Sequence, residues 1–148
     1  MTCYLPVLDR NLDLRRFVET AGHRLDQCEL VQLTSSTCHG YLSKLSPGVA
    51  VRQWKRRWFV FDRVQRCLHY HADKTEKRAD GAFIWFQTIQ DVFVDHERRS
   101  RSPRPECTFC VKTADRPLFL MAPTPEAMRI WIDVIFTGAE GYQQFLQQ

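Results

Sequence analysis

The sequence predicts a mainly β protein: a seven-stranded antiparallel barrel or sandwich capped by one C-terminal α-helix, with a partly helical N-terminal extension. Three observations predict it. From Cys38 onward, short β-type runs alternate with turn chemistry. After Thr124, apolar residues recur at three- and four-residue spacing. Before Thr37 the pattern is helical and then polar. With 148 residues, 26% charged and 44% hydrophobic, the chain suffices for one domain with its own core. The expected division is an extension and linker over 1–37, the main domain over 38–138 and a tail over 139–148.

In the extension, Leu12, Phe17 and Ala21 fall near one helical face, with Asp13, Arg15, Arg16 and Glu19 mostly on the other. Gly22 is a stop signal. The cluster Thr34-Ser35-Ser36-Thr37 reads as a linker. The expected strands are 38–45, 54–62, 66–72, 81–86, 89–95, 107–113 and 116–121. Ser46-Pro47-Gly48 punctuates the first pair, the polar stretch Asp73 to Asp80 separates the third from the fourth, and Asp115 marks a tight connection between the last two. In the terminal helix, Thr124 is the N-cap, Pro125 suits the first helical position, Glu126 complements the dipole and Gly138 ends the run. Ala127, Met128, Trp131, Val134 and Ile135 form its apolar stripe. A helix of this kind covers an open sheet end, and each fully buried large side chain contributes about 1.5–3 kcal/mol.

No stretch approaches the roughly 20 consecutive apolar residues of a membrane-spanning helix. The N-terminus, with Asp9 and Asp13 early and no apolar core, does not read as a signal peptide, so a soluble cytoplasmic chain is expected. Six scattered cysteines accompany ample aromatic core material, which makes a disulfide framework unnecessary. Cys107 and Cys110 form a CxxC with no second ligand pair, and His69 and His71 share a strand face without carboxylate or cysteine partners at useful spacing; no metal is expected. There is no P-loop, GxGxxG, GxSxG or HExxH motif, so neither an enzyme nor a cofactor is expected.

The net charge of +4 is concentrated: Lys44, Arg52, Lys55, Arg56, Arg57 and Arg63 stand against Asp62 alone. A local basic patch implies an anionic partner, whether membrane, phosphorylated ligand or nucleic acid, or else a solvated strand edge. Nucleic acid suits the nearby Trp54 and Trp58, but the charge is confined to one hairpin end and no nucleic-acid partner is expected. A second basic run, Arg98-Arg99-Ser100-Arg101-Ser102-Pro103-Arg104, reads as a solvated insertion, a phosphorylation segment or a second anionic contact.

The opening Gly40-Tyr41-Leu42-Ser43-Lys44, the run Trp54-Lys55-Arg56-Arg57-Trp58-Phe59-Val60-Phe61 and the helical Trp131 together resemble the pleckstrin-homology family over residues 38 to 138. More narrowly, Trp58 to Arg63, Ala122 to Trp131 and Thr137 to Tyr142 resemble the C-terminal domain of the pleckstrin-homology-like domain family B proteins, with Leu5 to Leu33 similar to the segment before it. The resemblance implies a barrel of that type within a larger coiled-coil protein of the cell cortex, associated with phosphoinositide sensing and microtubule capture. No heptad repeat occurs in this sequence, so it is expected to be a fragment.

Phosphoinositide-binding members of the family carry a lysine near the end of the first strand and Lys/Arg-x-Arg at the start of the second; here these are Lys44, Lys55 and Arg57. On a strand, Lys55 and Arg57 point to one face and Arg56 to the other. Arg57 offers a planar fork for bidentate phosphate contact, with Lys44 and Lys55 as point charges. The resemblance adds Tyr70, matching a third-strand tyrosine that reaches a phosphate, or else a barrel tyrosine with its hydroxyl at the surface. Arg52 is a candidate for the head group or for neighbouring anionic lipids. Val49 and Val51 are candidates to dip into the interface or to fold onto the barrel. Arg56, Lys74 and Lys77 add non-specific attraction or are merely solvated. The loop tip between Pro47 and Val51 carries no charge, unlike the most basic members of the family.

The expected function is therefore a phosphoinositide-binding membrane-recruitment module of a cortical or cytoskeletal scaffold, recognising 3-phosphorylated inositol lipids. Its partners would be phosphoinositide head groups and the anionic inner leaflet, together with cytoskeletal or scaffold proteins. It would be cytoplasmic and recruited peripherally to the plasma membrane and cell cortex. The alternative is a protein-interaction module of a microtubule-anchoring scaffold with little lipid specificity, using a groove between strand 89–95 and the terminal helix or the N-terminal extension.

Overall fold

Alternation of burial along the strands organises the centre of the chain. In a computed structural model, which describes residues 12–46, 53–79 and 83–140, Cys38, Gly40 and Leu42 are buried while Thr37, His39 and Tyr41 between them are not. The strands are β1 (Val31–Leu33), β2 (Thr37–Ser46), β3 (Gln53–Asp62), β4 (Cys67–His71), β5 (Ile84–Trp85), β6 (Ile89–Val94), β7 (Thr108–Thr113) and β8 (Pro117–Met121). Helix α1 (Leu14–Thr20) precedes them and α2 (Pro125–Ile135) follows.

All strand pairings among the described residues are antiparallel, and the main path runs β5-β4-β3-β2-β8-β7-β6. Strand β2 is shared along its length. Near its start it pairs with β1, Gly40 opposite Val31 and Cys38 opposite Leu33. Near its end it pairs with β8, Ser43 opposite Met121 and Lys44 opposite Leu120. Helix α2 covers the sheet, with Thr124 Oγ1 accepting from Ala127 N at 3.0 Å, Pro125 in the first turn and Trp131 fully buried. Phe59, Phe61, Leu42, Leu68, Phe109 and Leu120 meet it from the strands, and Phe61 stacks on Phe86 with centroids 4.6 Å apart.

The architecture is the expected antiparallel sheet with a C-terminal helix, with local corrections. There are eight strands among the described residues, and the eighth comes from the segment read as extension. Val31-Gln32-Leu33 is too short for alternation to announce itself, and Thr34 to Thr37 is a hairpin turn, not a linker. Thr34 Oγ1 accepts from Ser36 N at 3.3 Å and Thr37 N at 3.0 Å, which closes it. In α1, Asp13 caps Arg16 N, and the buried face is Leu14 and Val18, an i,i+4 pair, while Ala21 is exposed. Gly22, with φ of 107°, ends that helix as its composition predicts.

Three further boundaries moved. The fourth expected strand is only Ile84–Trp85 among the described residues, because a 3-10 turn over Phe86–Thr88 carries Phe86 into the core; Asp80 to Ala82 lie outside the described residues. Gly138 does not stop the last helix, which continues as a π-helical turn over Phe136–Glu140. Its role is close packing: a Cβ there would collide with the Phe61 ring. Cys107 belongs to a 3-10 turn over Pro105–Cys107 and the strand starts one residue later.

Candidate functional site

Strands β2 and β3 pair from Thr37↔Asp62 to Ser46↔Gln53, and this register places the cations. Lys44 stands directly opposite Lys55, and Arg57, two residues along the same strand, stands opposite the buried Leu42. Because Leu42 and Phe59 lie on this face and are core residues, the face carrying Lys44, Lys55 and Arg57 is the inner one, continued past the core to the open end of the hairpin. Lys55 is exposed, whereas Lys44 and Arg57 are half-buried. The Arg57 guanidinium donates to Arg56 O at 2.9 Å.

Tyr70 joins them from β4. It is paired with Phe59, packs on that ring at 5.1 Å, and lies under Lys44 with Nζ 5.5 Å from its ring centroid. Lys44, Lys55, Arg57 and Tyr70 thus belong to one face of three adjacent strands. Arg56 lies on the other, its guanidinium 3.6 Å from the Tyr41 ring centroid, and the Tyr41 hydroxyl accepts from Lys74 N at 3.2 Å. Arg52, Val49 and Val51 lie outside the described residues. Like charges directly opposite on an antiparallel pair repel, and an anion between them removes that penalty.

Other groups were not foreseen as clusters. His39, His69 and His71 share the outer face of β2, β3 and β4, with His69 Nδ1 2.9 Å from His71 Nε2 and His71 Nδ1 buried without a partner. Burial lowers the His39 pKa, with Asp62 opposing and His71 adding; burial and then His71 lower that of His69. The spacing His69-x-His71 signalled the shared face, but only the register brings His39 to it. Among the described residues, no group of three or more His, Cys, Asp or Glu side chains is placed to hold a metal ion. Burial raises the thiol pKa values of Cys38, Cys67 and Cys107 and pushes Cys110 up to about 11, so these thiols stay protonated.

A shallow groove of about 700 Å³ lies on β6, β7 and β8, where Phe93, Cys110 and Phe119 form one cross-strand row. It is lined by strands and connecting loops and includes no residue of α2. No helix among the described residues is long and apolar enough to cross a membrane.

Comparisons with known proteins give the family of the fold. The PH domain family model matches residues 36–139, and the chain belongs to the PH domain family. It is 32% identical over 93 residues to TBC1 domain family member 2A of Bos taurus, a match covering 63% of this chain and 9% of that protein. It is 30% identical over 110 residues to a PH domain-containing protein of Dictyostelium discoideum, covering 74% of this chain and 22% of that one. The chain therefore matches a small part of these relatives. Among solved structures, it resembles the C-terminal PH domain of pleckstrin in complex with D-myo-Ins(1,2,3,4,5)P5, with 27% identity and a TM-score of 0.52 over 68% of this chain and 95% of that one. It also resembles the PH domain of human TBC1 domain family member 2, with 24% identity and a TM-score of 0.56 over 74% of this chain and 83% of that one. PH domains are non-catalytic binding modules, commonly for phosphoinositides or proteins.

Proposed function

We propose that this domain recruits its protein to membranes by binding phosphoinositide head groups, 3-phosphorylated ones foremost, at the open end of the β2–β3 hairpin. The observation that carries this reading is the pairing of Lys44 with Lys55, with Arg57 on the same face. Clustered phosphates need several cations converging from neighbouring strands, each charge-assisted hydrogen bond contributing about 1.5–3 kcal/mol. Arg57 supplies the planar fork, Lys44 and Lys55 the point charges, and Tyr70 a hydroxyl from the third strand; Arg52 is a candidate for the head group or for neighbouring anionic lipid. The related pleckstrin domain solved with D-myo-Ins(1,2,3,4,5)P5 supports the choice of ligand class.

The likeness of Trp58 to Arg63 and of Ala122 to Trp131 to family B sequences supports a place in a cortical, cytoskeleton-linked scaffold, with the plasma membrane as the target surface. Flotation of the wild type and Arg57→Ala with vesicles containing or lacking phosphatidylinositol 3,4,5-trisphosphate tests the reading. Equal flotation of both proteins at physiological salt rejects the pocket.

A second reading, a protein-interaction module of a microtubule-anchoring scaffold, is favoured by the exposed rings of Phe83 and Trp85, 5.8 Å apart beside the edge strand β5. A partner pull-down that survives Lys44→Ala/Arg57→Ala would select it.

A further inference from the structure

The basic loop between β6 and β7 is built around its two serines in opposite ways. Asp95, itself buried, accepts from Arg99 N at 3.0 Å, Ser100 N at 3.1 Å and Ser100 Oγ at 2.5 Å. Ser100 is 1% exposed, so its hydroxyl is a fastener pressed on a carboxylate. Ser102 is partly exposed, with Arg101, Pro103 and Arg104 exposed around it. Its Oγ accepts from Arg104 N at 3.0 Å, lies 2.7 Å from Thr108 Oγ1, whose one proton also has Arg104 O as an acceptor at 2.8 Å, and contacts the Met121 sulfur at 3.3 Å.

We propose that Ser102 is a phosphorylation site, and that the loop is constructed to hold a phosphate there while excluding one from Ser100. The reaction is transfer of the γ-phosphoryl group of ATP to Ser102 Oγ by a protein kinase: the O–P bond forms, the bridging bond of ATP breaks, and ADP and the hydroxyl proton leave. Esterification removes the hydroxyl proton, so Ser102 gives up the one hydrogen bond it donates, while the ester oxygen can still accept from Arg104 N.

The surroundings favour the product. Arg98 and Arg101 are exposed and enter no ion pair among the described residues, and Arg104 holds Glu106 only loosely at 3.6 Å. Arg98 and Arg101 are also two of the three non-glycine residues with positive φ among those described, at 54° and 52°. Loop folding holds them in this uncommon conformation. A phosphoserine carries about −1.5 to −2 charge and orders a segment when arginines face it. At Ser100 the same group would meet the Asp95 carboxylate and open the loop.

The location gives the modification a consequence. Thr108, under Ser102, lies in one cross-strand row with Met121, Ser43 and Arg56, at the hairpin end that carries Lys44 and Lys55. Phosphate on Ser102 would therefore reduce the positive field of that end; this last step rests on the membrane reading, whereas the site itself does not.

The test uses the full chain. Reaction with ATP and, separately, an arginine-directed and a proline-directed kinase, followed by mass-spectrometric mapping, should place phosphate on Ser102 and not on Ser100. Chains with phosphoserine encoded at either position should differ: at 102 the melting temperature is unchanged or raised and the ³¹P titration midpoint falls below the usual value of about 6, an effect lost in Arg101→Ala/Arg104→Ala; at 100 the melting temperature falls by several degrees. Phosphate absent from Ser102 with both kinases, or equal destabilisation by the two phosphoserines, overturns the proposal. If the site stands but the phosphate leaves vesicle binding unchanged, only the membrane consequence fails.

Discussion

Lys44 and Lys55 are direct partners across the β2–β3 ladder, so two like charges start from opposite positions on one face. Changing the charge of one member of this pair therefore tests binding and stability at once.

Lys55→Glu should separate them. A carboxylate opposite Lys44 replaces repulsion with attraction, so the variant should be more stable by about 0.2–1 kcal/mol while its binding to phosphoinositide vesicles is lost. Urea melts and vesicle flotation on the same preparation check both signs. Loss of stability with retained binding would contradict the assignment.

The N-terminal segment should behave as part of the core. Leu14 and Val18 are fully buried, Leu14 N donates to Ser35 O at 2.7 Å, and His23 Nε2 meets Asp133 Oδ2 at 2.5 Å across to α2. Leu14→Ala should therefore cost about 2–5 kcal/mol, as for buried leucines generally. An unchanged denaturation midpoint would show that α1 is a detachable appendage.

Gly40→Ala tests the contact between that segment and the sheet. A Cβ at Gly40 would stand 2.9 Å from the Leu30 carbonyl oxygen and 3.3 Å from the Trp131 ring, and the first of these is backbone with little room to yield. The expected loss is about 1–3 kcal/mol, the range for overpacking. Wild-type stability in this variant would mean that residues 28–31 do not lie against β2.

Stability should fall on mild acidification. Burial first, with opposition from Asp62 and a further contribution from His71, holds His39 below the usual 6.5; for His69, burial and then His71 act in that direction. The unfolded chain thus binds more protons than the native one below that value. The contribution is complete above pH 6.5 and is lost as pH falls toward the two lowered midpoints. Urea midpoints measured at about pH 7.5 and about pH 5.5 should drop in the wild type and drop less in His39→Gln/His69→Gln. Equal slopes in the two proteins would remove the histidines from the explanation.

Legibility followed the physics of period and length. Helix α2 was readable because its cap, its proline and its apolar stripe all act within one segment, and Trp131 is buried as that stripe requires. The long strands β2 and β3 were readable from residue type and alternation. Strand β1 was not, because three residues carry no measurable period and its existence depends on the edge of β2 left open by β8. The same-face relation of Lys55 and Arg57 follows from spacing, and a hairpin connection brings Lys44 beside them at the loop end, whereas the exact opposition of Lys44 to Lys55 is a property of register, which depends on the loop between them. The contrast between Ser100 and Ser102 was invisible in the run of arginines, since it is set by a buried Asp95 and by Thr108 from the next strand.

The central claim is that the hairpin face of Lys44, Lys55 and Arg57 receives clustered phosphates. Titration of a soluble inositol tetrakisphosphate into the ¹⁵N-labelled domain, wild type and Arg57→Ala, tests it most directly. The account predicts shifts centred on Lys44, Lys55, Arg57 and Tyr70, and affinity reduced by about ten- to a hundredfold in Arg57→Ala, as loss of one charge-assisted hydrogen bond implies. Unchanged affinity in that variant, or shifts confined to the opposite face around Tyr41 and Arg56, would contradict it.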